Sequence, residues 1–218
     1  MHMSFAIARQ HMIESQIRTN KVLDERLIEA MRDLPREAFV PEPLRARAYI
    51  DEDLPVGHGR YLTEPMVLAR LLQALDVRAT DNVLVAAAGT GYAVALLARL
   101  ASSVIAVESD AALGDQGIAT LAHLQIANVV WQTGNPTEGA VKQAPYDVIL
   151  IDGGVEIVPQ TLLDQLAEGG RLATVLRDTR PGHAVLLHKE RGTVSTRVLF
   201  DANVPLLTPF AKPQTFSF

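Results

Sequence analysis

The segment Asn82-Val83-Leu84-Val85-Ala86-Ala87-Ala88-Gly89-Thr90-Gly91-Tyr92 constrains this chain more than any other. An unbroken apolar run, a glycine pair and the helix-forming stretch Ala93 to Leu100 read as a buried strand, a tight turn and a helix. A second apolar run, Val104-Ile105-Ala106-Val107, ends on an acid, Glu108, 17 residues after Gly91. In ribose-binding α/β folds such a turn admits a nucleotide-like ligand to the backbone, and the acid receives the ribose diol. The glycines alone are weaker evidence, because a strand-to-helix turn needs them sterically whatever it binds.

From Asp81 onward short apolar strands alternate with helical segments. Strands are expected at 82–86, 103–107, 128–132, 147–151 and 170–176, and helices at 91–101, 110–124 and 159–167. Such alternation implies a parallel sheet covered on both faces. The pattern then changes: His183 to Lys189 and Thr193 to Phe200 flank Glu190-Arg191-Gly192, which predicts a closing antiparallel hairpin. Ahead of the sheet, Phe5, Ala8, Met12, Ile13 and Ile17 recur at helical spacing. Leu23, Leu27, Ile28 and Met31 form a second stripe, with Asp24 as its N-cap. Pro35, Pro41, Pro43 and Pro55 punctuate an irregular stretch, in which Gly57-His58-Gly59 marks a loop before a helix starting near Glu64-Pro65. The tail from Pro205 to Phe218 reads as irregular, pinned by Phe210, Phe216 and Phe218.

Composition removes several classes of function. The net charge of -5 carries no electrostatic footprint for nucleic acid or an anionic membrane. Arg171, Arg177 and Arg180 read as scattered solvated arginines. With no cysteine, disulfides, zinc thiolate sites and cysteine nucleophiles are excluded, and no metal site is expected. No apolar run approaches the ~20 residues that span a bilayer, and no secretory signal pattern is present, so a cytoplasmic location is expected.

Two ligands suit the glycine turn: a dinucleotide and S-adenosylmethionine. The dinucleotide pattern G-x-G-x-x-G is incomplete, since its first glycine ahead of Gly89 falls on Ala87 and its third after Gly91 falls on Val94. Helices before the first strand and a hairpin at the end favour the methyltransferase order.

Beyond these features, several segments in one order resemble the protein-L-isoaspartate O-methyltransferase family, from about His11 to Phe218. They are LPREAFVPEPLRARAYIDEDLPVGHG, RYLTEPMVLARLLQAL, VLVAAAGTGYAVALLARL and APYDVILIDGGVEIVPQTLLDQLAEGGRLATV. The family patterns at the second and third are T-I-S-Q-P and V-L-E-I-G-T-G-S-G-Y. The resemblance implies a Rossmann-like class I methyltransferase fold with an N-terminal helical extension. It further implies one domain over 1–218, with 3–80 supplying the extension and substrate loop and 81–218 the cofactor-binding core.

By the same resemblance, Gly89, Thr90, Gly91, Tyr92, Glu108 and Asn135 are expected to bind S-adenosylmethionine. Thr63 is expected in the catalytic position, and His58, Arg60, Glu64 and Asp152 around a peptide or protein carboxylate substrate. The departures fall on functional positions. Thr63 stands for serine, Glu64 for glutamine, Tyr61 for threonine, Val85 for an acid and Ala87 for a glycine. Gly134-Asn135-Pro136 stands where the family has G-D-G. Glu64 adds negative charge beside an anionic substrate, and Arg60 is the expected neutralising cation. Each hydrogen bond lost to a charged group costs roughly 1.5–3 kcal/mol, so the cofactor site is expected to be weakened. Three readings stay open: an isoaspartyl methyltransferase, a methyltransferase for another acceptor, and a repurposed scaffold with little or no cofactor binding. A nicotinamide enzyme stands behind all three.

Overall fold

The computed structural model describes residues 4–212. The chain begins with helix α1 (Phe5–Met12), a π-type turn over Ile13–Ile17 and a short 3₁₀ turn over Arg18–Asn20. Helix α2 (Glu25–Asp33) follows, capped as expected by the Asp24 carboxylate, which accepts from the backbone N–H groups of Arg26 and Leu27. Met12, Ile13, Ile17, Leu27, Ile28 and Met31 are buried together against the sheet domain's helices. The proline-rich stretch that read as loop also holds a two-stranded antiparallel ribbon, β1 (Leu54–Gly57) and β2 (Arg60–Leu62). Its strands are too short for periodicity to reveal them. Helix α3 (Pro65–Leu75) starts at the expected proline.

The sheet then builds in alternation: β3 (Asn82–Ala86), α4 (Tyr92–Leu100), β4 (Ser103–Glu108), α5 (Ala111–His123), β5 (Val129–Thr133) and β6 (Tyr146–Val155). It closes with α6 (Gln160–Asp164), β7 (Leu166–Leu176), β8 (His183–Glu190) and β9 (Thr193–Asp201). The helix expected at 159–167 is only five residues long, because the chain is already extended from Leu166 and runs into the next strand. The seven strands lie in the order β5-β4-β3-β6-β7-β8-β9. Pairings from β5 to β7 are parallel, and β8 and β9 are antiparallel, the closing hairpin read from the sequence. Leu84, Val85, Val104, Ile149 and Leu150 are essentially inaccessible, as central strands of a doubly covered sheet must be.

Strand order reverses between β3 and β6, and ligands of open α/β sheets bind beyond the carboxyl ends of the strands at such a point. Here three features meet at that edge. The glycine turn follows β3, Glu108 ends β4, and β6 loses register between Leu150 and Gly154. The segment after β9 returns across the same edge, with Leu207 N–H donating to the Gly154 carbonyl at 2.8 Å. Gly153, at φ +149°, leaves room for Leu207, whose Cγ would lie 2.7 Å from any Cβ placed there. Phe210 is buried in the tail as expected, while Phe216 and Phe218 lie outside the described residues. No described helix is long and apolar enough to cross a membrane.

Candidate active site at the carboxyl edge of the sheet

The turn after β3 keeps the backbone of a glycine loop without all of its glycines. Ala87, Gly89 and Gly91 all take left-handed φ, at +61°, +56° and +92°. Ala87 therefore holds a conformation that disfavours a Cβ by about 1–2 kcal/mol. Gly91 is the residue before α4, and Trp131 on β5 packs beneath it, 3.2 Å from where a Cβ would sit. The same indole closes on Gly114 and Gly117 of α5, at 2.9 and 2.6 Å from the corresponding Cβ positions. Trp131 was not singled out from the sequence, although the three-residue spacing of two glycines inside a helix is the mark of a bulky neighbour.

Glu108 is the electrostatic centre of the edge. Its carboxylate is 1% exposed and accepts from the backbone N–H groups of Gly89 at 2.7 Å, Ser109 at 2.9 Å and Asp110 at 3.1 Å. Arg60 lies against the same carboxylate, its Nη1 at 2.9 and 3.1 Å from the two oxygens and its Nη2 donating to the Ala87 carbonyl at 2.6 Å. This corrects the expectation for Arg60: its guanidinium neutralises Glu108, not Glu64. The ribbon turn at His58, held at φ +53°, sends Arg60 inward toward β4. His58 is more than half exposed, with Nδ1 2.7 Å from Asp110 Oδ2, so the ribbon grips the β4–α5 loop at two points.

Other expected cofactor residues present backbone rather than side chain to this edge. The Thr90 hydroxyl donates to the Phe39 carbonyl at 2.7 Å. Tyr92 is fully buried, edge-on to Phe39 and 4.9 Å from the Arg36 guanidinium. Both side chains tie the N-terminal extension to α4, and neither is free to meet a ligand. The Asn135 side-chain Oδ1 accepts from the backbone N–H and the hydroxyl of Thr137, at 3.1 and 2.8 Å, closing its own turn.

Thr63 and Asp152 do meet. The Thr63 hydroxyl donates to Asp152 Oδ1 at 2.8 Å, between residues far apart in the chain and both less than a tenth exposed. Burial pushes the Asp152 carboxyl up to about 6, against the opposing pull of the Thr63 hydrogen bond, Arg60 and Arg36. Glu64 is pushed up to about 7 by burial and by the like charges of Asp53 and Asp51. The shift favours the protonated form of Glu64, and Arg60, held on Glu108, does not neutralise it. Beneath the loop lies Arg36, fully buried, donating to the carbonyls of Ala48 at 2.7 Å and Thr63 at 2.8 Å. It was not anticipated, because an arginine in a proline-rich stretch carries no local sign of burial. Among the described residues no group of three or more acidic, histidine or cysteine side chains could hold a metal ion.

The backbone frame of this edge suits an adenosyl ligand. Gly89 has only the Arg60 guanidinium within 4 Å of its Cβ position, and Gly134 at the end of β5 only a Val107 methyl. Glu108 ends β4 at this edge, with Arg60 against its carboxylate. Comparison with known proteins agrees with this frame. Residues 7–207 match the family model for protein-L-isoaspartate (D-aspartate) O-methyltransferase. The chain is 43% identical over 169 residues to protein-L-isoaspartate O-methyltransferase 1 of Rhodopseudomonas palustris strain HaA2, covering 78% of this chain and 69% of the relative. It is 36% identical to the Roseiflexus enzyme of the same name over 206 residues, 94% of each. A solved protein-L-isoaspartate O-methyltransferase superposes with TM-score 0.80 at 25% identity, over 91% of this chain and 65% of that one. A Plasmodium falciparum structure of that description, in complex with S-adenosyl-L-homocysteine, shares the fold with TM-score 0.78 at 18% identity, over 94% of this chain and 98% of that one. With the motif order, the strand order and the acid-ended β4 all in agreement, the chain belongs to the protein-L-isoaspartate O-methyltransferase family.

Proposed function

We propose that this protein is an S-adenosylmethionine-dependent O-methyltransferase that esterifies the carboxylate of isoaspartyl residues in peptides and proteins. The observation that carries the reading is the buried Thr63–Asp152 hydrogen bond at the sheet edge where strand order reverses, with Arg60 lining the same pocket and reaching to Glu108. Residues 3–80 and 81–218 act as one catalytic unit, because the ribbon from the first supplies Arg60 and Thr63 to the second. A cytoplasmic setting belongs to the same proposal.

The cofactor supplies an electrophilic methyl group on a positively charged sulfur, which leaves as a thioether as the C–S bond breaks. Little acid–base work remains for the protein, because an acceptor carboxylate is already ionised at neutral pH. Its task is alignment and exclusion of water. Glu108 and the backbone of Gly89 and Gly91 would hold the adenosyl group, and Thr63 would place the acceptor oxygen. While Asp152 is ionised it holds the Thr63 hydrogen, so the Thr63 oxygen presents lone pairs. Once Asp152 takes a proton, the Thr63 hydroxyl is free to donate to an acceptor carboxylate, and the anionic repulsion is gone.

The test is methyl transfer from labelled S-adenosylmethionine to a peptide containing isoaspartate, beside the same peptide with ordinary aspartate. Base-labile methyl ester on the first peptide alone is expected. Equal labelling of both, or of neither, would overturn the proposal.

A further inference from the structure

We infer that Arg60 sets the cofactor affinity of this protein: it occupies the diol-accepting face of Glu108, and the cofactor binds only when the ribbon carrying Arg60 withdraws it. The inference rests on the cofactor reading above and deepens it.

Hydrogen-bond capacity is the first ground. A carboxylate offers about four lone-pair sites. Glu108 already receives three backbone N–H groups, the Ser109 hydroxyl at 3.3 Å and both contacts from Arg60 Nη1. A diol brings two more donors. The backbone donors belong to the strand end and the glycine turn, so the contacts that can give way are side chains: the long one from the Ser109 hydroxyl, which covers one oxygen, and Arg60, which covers both.

Space is the second ground. Arg60 stands between an outer cleft of about 220 Å³ bounded by His58, Glu108, Asp110 and Pro209 and an inner pocket at Thr63, Asp152 and Leu207. The inner pocket holds about 10 Å³, room for roughly one water molecule. A ligand that joins an adenosyl group to a reacting methyl must reach from the one to the other, so the guanidinium lies in its path.

Leu54, Val56 and Leu62 anchor the strands of the ribbon in the core, and its tip is the part that can move. Gly57, His58 and Gly59 form a turn of consecutive left-handed residues, and no atom lies within 4 Å of a Cβ placed on either glycine. Two short strands alone are marginal in water. The turn is therefore held by side chains: Arg60 on Glu108 and His58 on Asp110. Arg60 Nε, buried with no partner among the described residues, is already unsatisfied in this closed arrangement.

The experiment is calorimetric titration of S-adenosylhomocysteine into the full chain and into Arg60→Gln, with amide hydrogen exchange of residues 57–62 before and after ligand. Arg60→Gln is expected to bind at least tenfold more tightly, and exchange in the ribbon of the unsubstituted protein to rise on binding. His58→Ala, which breaks the second clasp and leaves Glu108 and Arg60 in place, is expected to tighten binding by a smaller factor and serves if Arg60→Gln fails to fold. Equal or weaker binding by both variants, with the unsubstituted protein binding and methylating, overturns the Arg60 inference alone. Absence of binding in all three proteins overturns both the inference and the cofactor reading.

Discussion

Thr63 and Asp152 stand 89 positions apart and share a buried hydrogen bond of 2.8 Å at the carboxyl edge of the sheet. The bond couples the substrate ribbon to the strand that closes the switch point, and its strength follows the ionisation of Asp152. Replacing Thr63 with Val removes the donor at little change in volume. Loss of a hydrogen bond to a charged group is worth roughly 1.5–3 kcal/mol. Thr63→Val is therefore expected to lower kcat/KM for an isoaspartyl peptide by roughly ten- to a hundredfold. Thr63→Ser should keep most activity, and the comparison is made by steady-state kinetics at pH 7.

Asp152 and Glu64 give this protein an inverted pH response. Their carboxyls are raised to about 6 and about 7, so the folded state favours the protonated forms. Their contribution to stability is full below the ordinary carboxylate range and is lost as pH rises through those raised values. The melting temperature should fall between about pH 4 and pH 7, as read by circular dichroism. Glu64→Gln and Asp152→Asn should each flatten that slope, and an unchanged slope in both variants would refute the assignment.

Ala87 holds a left-handed φ of +61° in which glycine is unstrained. Ala87→Gly removes the strain but adds freedom to the unfolded chain, so a net gain of about 1 kcal/mol is expected. Val85, the other position in this segment where the family pattern differs, is fully buried. An unpaired charge there costs about 3 kcal/mol or more, so Val85→Asp should strongly destabilise the fold. Urea midpoints of the two single variants are expected to move in opposite directions.

Arg36 donates to the carbonyls of Ala48 and Thr63 with no exposure to solvent. Arg36→Met keeps much of the volume and leaves two carbonyls unsatisfied, each costing about 1–3 kcal/mol. Chemical unfolding should show a loss of about 2–6 kcal/mol, and the KM for peptide should rise because the Thr63 loop loses its tether.

Gly117→Ala would set a methyl group 2.6 Å from the Trp131 ring. Overpacking of this kind costs about 1–3 kcal/mol. The chain's only tryptophan reports the outcome directly, through a shifted emission maximum accompanying the lower melting temperature.

Patterns local to one segment carried the architecture. The apolar runs at 83–86 and 104–107, in alternation with helical segments, fit central parallel strands, and Asp24 capped its helix because that hydrogen bond is made within one turn. The glycine turn and Glu108 were legible for the same reason, since backbone sterics and strand ends are short-range properties. The tertiary structure alone decided what those groups face. Charge does not specify a partner along the sequence, so Arg60 was read beside Glu64 and lies on Glu108, 48 residues away. Arg36, Thr90 and Tyr92 turned out to join the N-terminal extension to the sheet, and Trp131 to underlie the turn. Secondary structure follows from periodicities a few residues long, whereas a buried charge takes whichever partner the completed packing brings within about 3 Å.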